Sequence, residues 1–427
     1  MASDRTIFRN VRLFDGRNPT LVGPRDVIVR GNLIESVQMS GAAPYDASDR
    51  IVDAERRVLM PGLIDAHWHS IFAAVTVATT MTADAGYLHI TAGVQAERTL
   101  LRGFTTVRDA GGPAFALKRA IDEGVIPGPR IYPCGAFITQ TSGHGDFRMR
   151  HEIPRHSCGQ LSRIETTGAS AIADGVDQVL RAVREQLMLG ASQIKVMAGG
   201  GVASPHDPID VTQYTEAEMR AAVDAAENWG TYVMVHAYTP RSIRQAIGAG
   251  VRCIEHGHLM DDATAEIMAK SGTWWSLQPF LDDEDIIPIP DPVSRLKQRQ
   301  ITDGTDRAYA LARKHGIKVA WGTDTLFDAS LAARQGKQLA KMIRWYTPGE
   351  VLTTATSVNA ELLALCGDRN PYPGRLGVVE PGAFADLLLV DGDPLTRIEL
   401  LADPDRSLVL IMKNGTIYKN NLATKGA

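Results

Sequence analysis

Between residues 58 and 324, short apolar segments alternate with amphipathic helical ones, and this alternation restricts the fold more than any other feature of the chain. Strands are expected near 58–69, 105–109, 130–138, 193–198, 232–238, 253–257, 273–280 and 318–324. Strands covered on both faces read as continuous apolar runs, as these do. One intervening helix shows the pattern. Thr215 and Glu218 make a capping box, Met219, Ala222, Val223, Ala226 and Trp229 keep one apolar face, and Gly230 ends it. Eight βα units joined by right-handed crossovers predict an α/β chain closed as a (β/α)8 TIM barrel; a doubly wound open sheet is the alternative.

The two ends read differently. Residues 6–14 alternate and meet the turn Asp15-Gly16, and 26–34 hold a strand, the Gly31-Asn32 turn and the start of another strand. Near the other end, 385–390 is a strand and 408–418 a hairpin about Asn414-Gly415. At 427 residues the chain exceeds one small core. These patterns predict a small β-sandwich domain made from both termini, 1–57 and 373–427, around a barrel at 58–372. An insertion near 139–170, rich in Gly, His, Arg and Ser, is expected on the active face as a substrate loop or lid, most of its residues solvated.

Composition excludes several partners. With 44% hydrophobic and 22% charged residues the chain is an ordinary soluble protein. A net charge of −4 without a basic run argues against nucleic acid, and no apolar run is long enough to span a bilayer. Cys134, Cys158, Cys253 and Cys366 show no CxxC spacing and are expected as free, mostly buried thiols. The first residues, Met1-Ala2-Ser3-Asp4-Arg5, lack a signal peptide's apolar stretch, so the chain as given reads as cytoplasmic; a leader already removed would place it in the periplasm or outside the cell.

The chemistry sits where the strands end. The first closes with Asp65-Ala66-His67-Trp68-His69, and two residues apart on a strand means one face, so both imidazoles can meet one metal. Lys195 lies in the fourth strand, His236 ends the fifth, His256 the sixth and Asp324 the eighth. Six ligand-type groups at one rim face the mouth where barrel enzymes place catalysis. A lysine inside an apolar strand is costly unless it is paired or neutralised. A neighbouring carboxylate would pair it; carboxylation by carbon dioxide would make it an anion with one oxygen for each of two metals.

The run Pro61-Gly62-Leu63-Ile64-Asp65-Ala66-His67-Trp68-His69, Lys195, His236, His256-Gly257, Gly322-Thr323-Asp324 and the tail from Gly377 to Leu387 together resemble the amidohydrolase superfamily over nearly the whole chain. Within it, the chain is most similar to the branch of Xaa-Pro dipeptidases, carboxypeptidase-like enzymes and bacterial ochratoxin A-hydrolysing amidohydrolases. The resemblance implies two divalent metal ions, zinc by habit of the family. His67, His69 and Asp324 would hold the more buried ion, His236 and His256 the more exposed one, and carboxylated Lys195 would bridge them. Asp324 would carry the proton between water and leaving amine. Ser142-Gly143-His144-Gly145-Asp146 after the third strand, and Tyr238 two residues after His236, imply that His144 and Tyr238 meet the substrate's carbonyl or carboxylate. The implied substrate is a small amide with a terminal carboxylate: a dipeptide, an N-acyl amino acid or, as the best single choice, ochratoxin A, an amide of phenylalanine. Relatives form homo-oligomers up to octamers.

Other readings fare worse. Single-metal deaminases and imidazolone-type ring hydrolases usually lack the bridging lysine and carry an acid three residues after the fifth-strand histidine; here Lys195 is present and that position is Thr239. A non-catalytic scaffold would have lost ligands, yet all six positions are filled. Arg148, Arg150 and Arg155 in the insertion could pair a substrate carboxylate but read better as solvated charges. His89, His151, His156, His206, His258 and His315 have no place in the pattern. The run Gly199-Gly200-Gly201 lacks the Lys-Ser/Thr of a phosphate loop and is expected to make room at the mouth.

Overall fold

In the computed structural model, which describes residues 5–42, 44–153, 160–204 and 206–422, the middle of the chain is built from parallel strands. Leu63–Trp68, Phe104–Asp109 and Arg130–Tyr132 pair in chain order. Phe137–Thr139, Ile194–Met197, Val233–Ala237, Cys253–His256, Trp274–Leu277 and Val319–Trp321 form a second parallel sheet, with Ser170–Ile172 on its outer edge beside Phe137–Thr139. Crossovers are helical, for example Ala85–Leu101, Val176–Met188, Glu216–Glu227 and Pro292–His315. The expected capping box holds, with Glu218 N–H donating to the Thr215 hydroxyl. Met219, Ala222, Val223 and Ala226 are buried, whereas Trp229 lies past the last helical residue, Glu227, and is exposed.

Two expected strands are each broken in two. Val58–Pro61 pairs with the terminal strands Arg5–Leu13 and Leu387–Val390, and only Leu63–Trp68 joins the parallel set. The change of sheet falls at Gly62, whose N–H donates to Asp386 O and which faces Thr105 with no room for a side chain. The third strand breaks between Arg130–Tyr132 and Phe137–Thr139, where Pro133 offers no N–H and Gly135 takes φ +76. The insertion is not all loop: it contains the helix Arg163–Thr166 and runs into the strand Ser170–Ile172.

The two parallel sheets meet at a seam between Leu63–Trp68 and Val319–Trp321. Buried Asn359 donates to Ile64 O (2.7 Å) and Trp321 O (2.8 Å) and accepts from Trp321 N–H (3.0 Å). Beyond the strands, Asp324 N–H donates to His67 O (2.8 Å). Gly322 permits the approach, since a Cβ there would lie 2.3 Å from His67 N.

Both chain ends combine in one eight-stranded, mostly antiparallel sheet, in which Leu408–Lys413, Leu387–Val390, Val58–Pro61, Arg5–Leu13 and Val22–Arg30 follow one another across its width. Phe8, Val27, Leu59, Leu387 and Leu410 share one apolar core. The Asn414-Gly415 turn closes the last hairpin with both residues at positive φ. Buried Arg130 pairs with Asp386 and donates to Asn414 (2.8 Å), tying the third parallel strand to this sheet. Cys134, Cys253 and Cys366 are buried free thiols; Cys158, like Met1–Asp4, Arg155 and His156, lies outside the described residues. Among the described residues, no helix is long and apolar enough to cross a membrane.

Asn359→Ala removes three buried hydrogen bonds and orphans two carbonyls and an N–H at the seam. It should destabilise the chain by about 3 kcal/mol, measured as a lower thermal midpoint, with the terminal hairpin's hydrogen-exchange protection unchanged at low temperature.

Candidate active site

The strand ends place His67, His69, Lys195, His236, His256 and Asp324 along the wall of one cavity of about 980 Å³, and His144 and Tyr238 line it as well. The tightest group is His67, His69 and Asp324, whose ligand atoms lie within 4.8 Å of one another. Both His67 Nε2 and His69 Nε2 stand 3.1 Å from Asp324 Oδ1. His256 Nδ1 lies 3.9 Å from Asp324 Oδ2, and the His256 ring is 5.0 Å from that of His67 and 4.6 Å from that of His236. His236 and His256 therefore adjoin the tight group without entering it.

Each imidazole has one nitrogen committed away from the cavity. His67 Nδ1–H donates to Glu255 Oε2 (2.6 Å) and His69 Nδ1–H to Gly111 O (3.1 Å). His236 Nε2–H donates to Gly200 O (3.1 Å), and His256 Nδ1–H to Gln278 Oε1 (2.8 Å). Partners of this kind set a histidine's tautomer and leave its other nitrogen as a metal ligand. The donor set, two imidazole nitrogens and a carboxylate oxygen with two further imidazoles beside them, fits a divalent metal.

Two site residues sit in the left-handed backbone region, His256 at φ 74 and Asp324 at φ 52. Such strain persists only where the surroundings over-determine it, and it gathers at functional sites. Here Trp275 Nε1–H holds His256 O (2.6 Å) and the seam holds Asp324 N–H.

The electrostatics follow from burial. Desolvation pushes the His236 and His256 pKa values well below that of free imidazole, so both rings are neutral. Burial also opposes charge on His67, but Asp324 and Glu255 outweigh it and raise its pKa. Desolvation works against the Asp324 carboxylate too, yet His67 and His69 hold it well below the usual range. Lys195 is 2% exposed and has no hydrogen bond or ion pair among the described residues. Burial lowers its pKa, only partly offset by Glu255 and Asp324. Tyr238 is driven well above the ordinary phenol value by burial and stays protonated.

His144 stacks on His236 with ring centroids 4.1 Å apart, and its Nδ1–H donates to Asp207 Oδ2 (3.0 Å). The glycine run makes room as expected: a Cβ on Gly201 would lie 2.2 Å from the His144 ring, and one on Gly200 would lie 1.8 Å from Pro208 O. Arg148 is not solvated; it is buried and bound through two nitrogens to Asp146 (2.6 and 2.8 Å). Arg150 is exposed at the cavity rim.

One residue escaped the sequence reading. Glu255 is fully buried between His67 and Arg108, whose Nη2 donates to it at 2.7 Å. Arg108 overcomes the desolvation penalty and keeps Glu255 well below the usual carboxylate range. A glutamate inside the apolar strand Cys253–His256 was the available signal. His258 is buried against Phe280, burial lowering its pKa to about 4, and His206 lines the cavity. Glu255→Gln should weaken divalent-metal affinity by about 10- to 100-fold, read by competition with a chromogenic chelator, and should lower the thermal midpoint because buried Arg108 loses its carboxylate.

A family model, "Amidohydrolase family", matches residues 58–418. The curated Aspergillus niger "Ochratoxinase" is 32% identical over 375 residues, covering 85% of this chain and 76% of that one. Among solved structures, an amidohydrolase superposes with a TM-score of 0.88 at 36% identity, covering 98% of this chain and 100% of its own. A prolidase complexed with N-methylphosphonate-L-proline gives 0.87 at 35% identity, covering 97% and 100%. A site of histidines and one aspartate at the ends of parallel strands, in a chain with these likenesses, belongs to the amidohydrolase family.

Proposed function

We propose that this chain is a binuclear, metal-dependent hydrolase that cuts the amide bond between a bulky apolar acyl group and a C-terminal amino acid. One observation carries the substrate class. The cavity over the site, about 980 Å³, extends from the histidines to an apolar wall that includes Phe72, Met81, Phe280, Ile286, Ile287 and Ile289. Pockets for drug-sized ligands run to roughly 1,000 Å³, and a dipeptide would leave much of this wall uncovered. Ochratoxin A, cleaved to ochratoxin alpha and phenylalanine, is the best single substrate. Xaa-Pro dipeptides and N-acyl amino acids are the second reading, favoured by the likeness to a prolidase.

In this reading His67, His69 and Asp324 would hold one ion, His236 and His256 would hold the other, and Lys195, once carboxylated, would serve both. The unpaired, burial-depressed amine of Lys195 supports that step, because a neutral amine adds carbon dioxide and releases one proton. Zinc suits imidazole and carboxylate donors. When bound, the metals supply an acidified water and polarise the scissile carbonyl. Asp324, held ionised, takes a proton from the attacking water at Oδ and delivers it to the leaving nitrogen. Tyr238, kept protonated, and His144, with Nε2 left for the substrate, bind the carbonyl or the terminal carboxylate. The seam at Asn359 supports reading the two parallel sheets as one closed eight-stranded barrel, residues 58–372. The shared core of the terminal sheet supports a sandwich made of 1–57 and 373–427. The exposed stripe Tyr87, Ile90 and Val94 on helix Ala85–Leu101 offers a contact face for the proposed homo-oligomer. Its buried free thiols suit the cytoplasm.

Zinc-reconstituted enzyme should release phenylalanine from ochratoxin A, and Lys195→Ala or Asp324→Asn should lower kcat/KM by about a thousandfold. Release from dipeptides alone would move the substrate to peptides. No release from any amide, with metal bound, would overturn the amide-bond reading and favour ring hydrolysis or deamination.

A further inference from the structure

The cavity wall holds a lysine with an unusual environment. Lys297, on helix Pro292–His315, is buried, and its ammonium donates to three main-chain carbonyls: Asp207 O (2.7 Å), Gly201 O (3.1 Å) and Ser204 O (3.4 Å). No carboxylate pairs with it among the described residues. Two other basic residues of the cavity differ. Arg148 is paired with Asp146, and Lys341 with Asp283 and Asp285. Burying an ammonium against carbonyl dipoles alone is costly, so the arrangement needs a reason beyond charge pairing.

The three carbonyls belong to one loop, which carries the groups around His144. Asp207 Oδ2 accepts from Gly201 N–H (2.6 Å) and from His144 Nδ1–H (3.0 Å), and its Oδ1 accepts from the Ser204 hydroxyl. Ser204 Oγ lies 2.9 Å from His144 Nδ1. Gly201 lies against the His144 ring. The helix that bears Lys297 is itself fixed. Its Gly304 packs on His258 O, where a Cβ would lie 2.3 Å away, and Thr305 and Tyr309 donate to Phe280 O and Leu277 O. The ammonium therefore reaches from a fixed helix to the segment whose side chains surround His144.

We infer that Lys297 is a positioning residue: it holds the main chain at Gly201, Ser204 and Asp207 so that Asp207 holds His144 in one tautomer, with Nε2 presented to the substrate. Neither Lys297 nor Asp207 touches the substrate or the metals in this scheme. Their effect passes through His144, and only the kinetic arm of the test rests on the amide-hydrolase reading.

A double-mutant cycle separates this role from general support. Lys297→Met should lower kcat/KM about tenfold or more in the native background and less than about twofold in a His144→Ala background, with metal content unchanged in both. The isosteric Asp207→Asn should show the same non-additivity, and it carries the test if Lys297→Met does not fold. Without turnover, ¹⁵N–¹H spectra of the histidines should show a single Nδ1–H tautomer for His144 that becomes mixed in Asp207→Asn and Lys297→Met. Equal losses in both backgrounds, loss of metal on Lys297→Met, or an unchanged His144 tautomer would overturn the inference. If no amide is hydrolysed but the tautomer responds, the amide-hydrolase reading fails and the clamp stands.

Discussion

The hydrogen bond from Asp324 N–H to the His67 carbonyl joins the first parallel strand to the last. It is the contact on which the site depends, because it brings a ligand from one end of the βα series against ligands from the other. Asn359 braces it from below and Gly322 removes the side chain that would prevent it. The left-handed backbone of Asp324 follows from the same geometry: the chain must turn sharply after Val319–Trp321 for its carboxylate to reach both His67 and His69. Strain of this sort, of order 1–3 kcal/mol per residue, is sustained by the packed sheet beneath.

A second constraint is charge in a dry interior. Arg108, Glu255 and His67 form a buried chain in which the cation offsets desolvation of the carboxylate and the carboxylate orients the imidazole. Asp65 is buried nearby and collects Thr323 N–H, Thr323 Oγ1–H and Gln335 Nε2–H, so each of its oxygens is satisfied. Lys195 stands apart from both sets. It is enclosed like them and yet has no partner of its own among the described residues. Burial lowers its pKa against the pull of Glu255 and Asp324, which sets it apart from the paired cations of the interior.

Much of this was legible beforehand, for identifiable reasons. Polar residues that interrupt apolar strands stand out, so His67, His69, Lys195, His236, His256 and Asp324 could be read directly. So could the Thr215 cap and the Asn414-Gly415 hairpin, whose signals are local. What escaped depends on partners distant in sequence. Val58–Pro61 and Leu63–Trp68 look like one strand because both are apolar; only pairing with Arg5–Leu13 and Leu387–Val390 divides them. Arg148 looks like a loop charge until Asp146 is seen folded back onto it. Glu255 sits beside a recognised ligand, and its role appears only when Arg108 and His67 are placed on either side. The Lys297 clamp joins a helix to a loop about ninety residues away, beyond the reach of periodicity or motif.

The most direct test of this account is the chemical state of Lys195. Protein reconstituted with zinc in ¹³C-labelled bicarbonate should show a single protein-bound carbamate carbon resonance near the usual range for such groups, absent in Lys195→Ala and lost together with the metal on chelation at low pH. A metal-loaded, active enzyme with no carbamate signal would contradict it, leaving an unmodified lysine at the centre of the site.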